Sequence, residues 1–201
     1  GEGTIVAVLD TGLEIEHPEL SENVVVDGSY NFLNGSNDPT SSSTSGDHGT
    51  AVAGIIAARG WNDVGLRGLA PVAQLKGFNF LKSQLTANQV FANGGNPLSA
   101  DVSVFNKSYG YENTVEMQVN EFLEAQLLEG VSDLRDGKGA VYVKSAGNGF
   151  RSFSVVTCID SSVVDFSNSI SCQHTNMDAT RTLPYNMIVG ALNADGVKAS
   201  Y

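Results

Sequence analysis

Three short stretches of this chain set reactive side chains beside small, turn-forming residues. "VLDTG" carries Asp10, "DHGTAVAG" carries His48 and "SAGNG" carries Asn148. A carboxylate can orient an imidazole through Nδ1 and leave Nε2 to take a proton from a nucleophile. An asparagine amide in a Gly-flanked turn can donate to an oxyanion. Taken one at a time the stretches have plainer readings. Asp-Thr-Gly and Asn-Gly both make good turns, and a histidine behind Asp47 at a helix start is more often a capping or surface residue. Their chemistry needs a fold that brings distant positions together.

The elements that would position them alternate. Ile5, Val6, Val8 and Leu9 read as a strand buried on both faces, which a central parallel strand requires, and Asp10 stands at its carboxyl end. In an open α/β sheet that end is where sites collect. Residues 27–47, with their Ser, Asn, Gly and Pro, read as loop. "HGTAVAGIIAAR" predicts a helix with Val52, Ile55 and Ile56 at helical spacing and small residues that permit close packing. Strands are expected in "VAQLKGFNFL", "DVSVFNKSYG", "AVYVKSAGNG" and "NMIVGAL", and a helix over "TANQVFAN". The clearest helix is "TVEMQVNEFLEAQLLEGVSDLRDGKG": Val115, Val119, Phe122, Leu123 and Leu127 form its stripe and "DGKG" stops it. This alternation gives an α/β class, a doubly wound, mainly parallel sheet with helices on both faces, in a single domain over 1–201. Residues 150–183, Ser-rich and holding Cys158 and Cys172, read as a surface insertion, with a disulfide or two thiols.

Composition narrows the function. The net charge of −11, from 22 acids against 11 bases, argues against a nucleic-acid partner and suits cationic ligands such as calcium or basic peptides, although solubility accounts for most of it. No apolar run approaches a membrane span. Asp-Thr-Gly after apolar residues is also the signature of aspartic proteases, which need two such carboxylates sharing a proton. No second copy occurs, and strand–helix alternation disfavours that all-β architecture.

Asp-Thr-Gly after a strand, His-Gly-Thr-x-Val-Ala-Gly opening a helix and Ser-Ala-Gly-Asn-Gly after a later strand, with "SYG" between the last two, resemble the subtilisin-like serine proteases in order and over the whole chain. The resemblance implies Asp10 as orienting carboxylate, His48 as general base and later acid, and Asn148 as oxyanion donor. The family's nucleophile lies in a Gly-Thr-Ser motif, and none occurs in these residues; the expectation is a C-terminally truncated catalytic domain whose serine lies beyond residue 201. Ser108, Tyr109 and Gly110 resemble the segment that pairs with substrate backbone by β-augmentation.

The stretch around "DATRTLPYNMIVGA" resembles the kexin and furin-like convertases, in which Asp178 would lie in a pocket for Arg or Lys at P1, the residue whose carbonyl is attacked. A loop acid is an equal reading of Asp178. Where convertases carry a second acid after the first motif this chain has Thr11, and where they carry an acidic cluster it has Glu112 and Asn113, so strict dibasic selection is not expected. "AARGWNDVGLRGLAP" resembles the family's calcium loop, with the Asn62 side chain, the Arg59, Val64 and Leu66 carbonyls and Glu19 as ligands. His17 reads as a packing or surface residue, Trp61 reads as packing rather than binding, and His174 has no identifiable metal partners.

The sequence therefore predicts a secreted, calcium-stabilised serine endopeptidase acting on peptide or protein substrates, with a pro-domain or chaperone as a further partner and no membrane span. The alternative is a subtilase fold that grips extended peptides without cleaving them.

Overall fold

The computed structural model describes residues 1–42, 47–110, 118, 120–148 and 178–199. The chain forms two compact units, Gly1–Ser108 with Asn120–Tyr142, and Tyr109–Val119 with Val143–Tyr201.

In the first unit β1 (Ile5–Leu9) lies between β2 (Gln74–Phe78) and β3 (Val104–Lys107) and runs parallel to both, with Val6 opposite Leu75 on one side and Val104 on the other. All of β1 after Ile5 is buried, as a strand apolar at successive positions must be when it is covered on two faces. Val6, Val8, Leu13, Leu20, Ala53, Ala57, Ala58, Ala73 and Leu75 form one continuous core. β4 (Val141–Ser145) begins beside β3, where Val141 N–H donates to the Ser103 carbonyl at 2.9 Å. Tyr142 stacks on Phe105 with ring centroids 4.7 Å apart, and its hydroxyl donates to the Asn93 carbonyl at 2.7 Å. Burial, reinforced by Glu129, pushes the Tyr142 phenol well above its ordinary pKa, so it stays a neutral donor.

Helix α1 (His48–Ala57) forms where expected, and Val52 and Ile56 pack against the core, but small residues make the fully buried centre of its inward face. Ile55 is exposed, and Val52 and Ile56 are only partly buried; the buried positions are Gly49, Ala53 and Ala57, four residues apart. The reason is proximity. A Cβ on Gly49 would run into the Gly12 carbonyl oxygen and lie 2.9 Å from the Asp10 Cβ, so only residues with little or no side chain can face the sheet here.

Helix α2 (Thr86–Val90) is shorter than the periodicity suggests, because the chain widens into a turn over Phe91–Gly95 in which Gly94 has φ 110°. Helix α3 (Glu121–Ser132) starts where the Asn120 side chain accepts from the Phe122 and Leu123 N–H groups, a cap that periodicity does not reveal. It buries Leu123, Gln126, Leu127 and Gly130, while Phe122, expected in the stripe, is exposed; Val115 and Val119 lie outside the described residues. The helix stops earlier than the expected "DGKG", at Ser132, and Arg135 and Asp136 already take positive φ ahead of Gly137 and Gly139.

The second unit takes up the rest of β4 and sets β5 (Asn186–Val189) beside it, Ala146 N–H donating to the Val189 carbonyl at 2.9 Å. β5 alternates half-buried and exposed residues, as an edge strand does, where a buried strand was expected. Ahead of it, Ala179–Thr182 form one helical turn capped by the Asp178 side chain. The class is the expected one, with a mostly parallel sheet of five strands among the described residues, together with helices. Of the expected insertion only residues 178–183 are described, and Cys158 and Cys172 lie outside them. No described helix is long and apolar enough to cross a membrane.

Candidate active site

Strand β1 delivers Asp10, fully buried, and α1 delivers His48 as its first residue. His48 Nδ1 lies 2.8 Å from Asp10 Oδ1 and 2.9 Å from Oδ2. The carboxylate also accepts the Thr11 N–H at 2.7 Å. Its backbone is pinned on both sides, Asp10 N–H donating to the Phe78 carbonyl at 3.1 Å and the Asp10 carbonyl accepting from Leu81 N–H at 3.2 Å. A buried carboxylate held this way fixes the ring's orientation and makes Nδ1 the proton-bearing nitrogen, which leaves Nε2 basic. The His48 side chain is 55% exposed, open to a reactant. Thr11, read from sequence only as a departure from the convertases, has a part here: its hydroxyl accepts the Gly49 N–H at 3.4 Å, tying the start of α1 to the end of β1. Asp47 does not cap the helix with its side chain, so the imidazole–carboxylate pair is what marks this end.

Asn148, in the second unit, is exposed and follows Gly147, whose φ of 95° makes the turn that presents it at the end of β4. Its amide is available as a donor. Ser108 is half-buried and its hydroxyl accepts from Asn106 Nδ2 at 2.9 Å. Tyr109 is held from beneath by Lys144, which donates Nζ–H to its carbonyl at 2.7 Å and sits 4.4 Å from its ring centroid. Gly110 is exposed at the end of the same segment.

Asp178 is not a solvated loop acid. It is buried, caps Ala179–Thr182 by accepting from Thr180 N–H at 3.0 Å and Thr180 Oγ1 at 2.6 Å, and faces two cations, with Lys144 Nζ at 3.8 Å and Arg181 Nε at 3.6 Å. Burial lowers the Lys144 pKa to about 8, with Asp178 pulling it up and Arg181 pushing it further down.

The five residues expected around calcium gather at the loop between α1 and β2. Trp61, Asp63 and Gly65 alternate along it at positive φ and curl the backbone. The Asn62 amide terminus lies 3.3 Å from both the Arg59 and the Val64 carbonyl oxygens, so three of the expected donors converge. That closeness fits either an amide nitrogen bonding both carbonyls or three oxygens around one cation. Glu19 is buried and its carboxylate accepts the Leu66 N–H at 3.2 and 3.1 Å, lying where a Cβ on Gly65 would be. Leu66 thus meets Glu19 through its backbone nitrogen. Among the described residues no three His, Cys, Asp or Glu come together, so the donor set is carbonyl, amide and a single carboxylate, a hard-oxygen set of the kind calcium takes. Trp61, expected to pack, is exposed beneath the Arg67 guanidinium, 5.0 Å from its ring centroid. His17 accepts the Glu19 N–H at Nδ1 and is half-buried. Glu112, Asn113 and His174 lie outside the described residues.

The sequence profile described as Subtilase family (Peptidase_S8) matches residues 1–200. The chain is 40% identical to the Aeromonas extracellular serine protease of Aeromonas sobria over 206 residues, which is 100% of this chain and 32% of that protein. It is 30% identical to kexin of Saccharomyces cerevisiae over 151 residues, 74% of this chain and 18% of kexin. The crystal structure of Aeromonas sobria serine protease with the chaperone ORF2 matches with a TM-score of 0.86 at 37% identity, covering 100% of this chain and 34% of that one. The chain thus spans about a third or less of the length of these relatives.

Proposed function

The chain belongs to the Subtilase family, and from that premise we propose that the protein is a secreted serine endopeptidase. The observation that carries the reading is the buried Asp10 carboxylate 2.8 Å from His48 Nδ1. In this reading a serine beyond residue 201 attacks the scissile carbonyl, and His48 Nε2 takes the proton from its hydroxyl. Asn148 donates to the tetrahedral oxyanion, and His48 returns the proton to the leaving amine as the acyl–serine bond remains. Water then repeats the sequence, attacking the ester with His48 as base and releasing the acid and the serine. Asp10 stays ionised throughout and stabilises the imidazolium.

The substrate is an extended peptide paired along Ser108–Gly110, with its P1 side chain directed to Asp178 and a preference for Arg or Lys there. A pro-segment or chaperone assists folding, by analogy with the Aeromonas protease whose structure includes one. Labelling of the full-length protein with an organophosphonate tests the reading: one phosphonyl adduct on a serine is expected. Folded protein that takes up no label would instead favour the peptide-gripping, non-cleaving alternative.

Calcium would be held by Asn62, the Arg59, Val64 and Leu66 carbonyls and Glu19, and would supply a charge-balancing crosslink to the loop. Support comes from the convergence of the Asn62, Arg59 and Val64 groups. Chelation is expected to lower the melting temperature by about 5–10 °C if the ion is normally bound at a hundredfold over its dissociation constant, and the Asn62→Ala variant is expected to lose that sensitivity. A wild-type melt indifferent to chelator would remove calcium from the proposal.

A further inference from the structure

The Arg181 side chain has an unusual lodging. It is nearly buried; its Nε donates to the Ser145 carbonyl at 3.1 Å and lies 3.6 Å from Asp178 Oδ2. Its guanidinium head fills the space beside two glycines. A Cβ on Gly147 would sit 2.8 Å from Nη2 and 3.0 Å from both Cζ and Nη1; a Cβ on Gly110 would overlap Nη2 and come within 3.0 Å of Asp178 Oδ2. Gly110 ends the segment read as the substrate wall, and Gly147 precedes the proposed oxyanion donor. A planar cation on an acid, between those two backbones, has the shape and charge of the arginine side chain that a basic P1 residue would bring.

We infer that Arg181 is a specificity-determining residue which occupies the P1 slot from within, so that a substrate Arg or Lys reaches Asp178 only by displacing it. The inference rests on the P1 role proposed for Asp178. Two further features support it. Asp178 already faces two cations, Lys144 and Arg181, so an incoming ammonium or guanidinium must compete with Arg181 for the same carboxylate. Arg181 Nε lies 3.6 Å from Asp178 Oδ2, a long approach for an ion pair, whereas a substrate guanidinium could present its forked edge. The resident cation therefore blunts the basic preference without abolishing it.

The test uses the full-length protein and peptides that differ only in Arg or Leu at P1. Arg181→Ala is expected to raise the Arg-to-Leu ratio of kcat/KM at least tenfold, chiefly through KM for the Arg peptide, and Arg181→Ala/Asp178→Asn is expected to lose that gain. Ethylguanidinium should compete with substrate in Arg181→Ala and scarcely in the wild type. Organophosphonate titration counts competent sites in each variant, and Arg181→Gln serves where Ala fails to fold. An unchanged ratio in an active variant, or a gain that survives removal of the Asp178 charge, would overturn the inference. Failure of the wild type to take label would instead strike the endopeptidase reading, so the two failures are distinguishable.

Discussion

Full-length protein carrying His48→Ala is expected to turn over peptide about 10⁶-fold more slowly than wild type, and Asp10→Asn about 10⁴-fold, with KM little changed in either. The first is the magnitude for loss of the same group in subtilisin, and the second that for the same exchange in a trypsin-like protease, in both of which the triad acts as a unit. The structure supports carrying them over because both Asp10 oxygens lie within 2.9 Å of His48 Nδ1 and the carboxylate has no access to solvent. Exchanging the acid for an amide would put an N–H against the ring or force the other tautomer, and Nε2 would then hold the proton it should accept. The double variant is expected to be no slower than His48→Ala alone, since without the base its positioning group has nothing to act on. Steady-state kinetics with a circular-dichroism melt on each variant checks this. A folded His48→Ala protein within tenfold of wild-type kcat would end the assignment.

Asn148→Ala is expected to lower kcat by 10²–10³-fold, about 2.7–4 kcal/mol of transition-state stabilisation, again with KM nearly constant. The interaction would exist only once the carbonyl oxygen becomes an oxyanion, which is why binding is spared. Its side chain is exposed, so truncation should cost the fold only ~0.5 kcal/mol or less, and the kinetic effect is separable from stability. An effect on KM with kcat intact would make Asn148 a ground-state contact.

What the sequence revealed and what it concealed divide along physical lines. Asp10 was legible because a strand apolar at every position must be central, and the residue after it falls where parallel strands end. His48 taken alone reads as a capping or surface residue, and is legible only through its place after Asp10 and the motif order of the resemblance. The inward face of α1 was legible only in part: Val52 and Ile56 pack against the core, but Ile55 is exposed and the fully buried positions are Gly49, Ala53 and Ala57, because the contact is decided by how near two backbones come. Asn120 hid as a cap because one polar residue inside a long amphipathic pattern looks like part of it. Arg181 was missed altogether. An arginine reads as solvated by default, and the partners that bury it, Gly110, Ser145, Gly147 and Asp178, are mostly distant in the chain.

The crossing of α1 over the end of β1 has a further consequence. The spacing of acid and ring is set by main chain resting on main chain at Gly12 and Gly49, with the Thr11 hydroxyl as a peg. Such a bearing surface has no rotamers to repack. Loss of a methyl group among the flanking Val52 and Ile56 side chains would soften the molecule yet leave the dyad in gauge, whereas one methyl added at Gly49 would throw it out of true, and activity would fail before cohesion did.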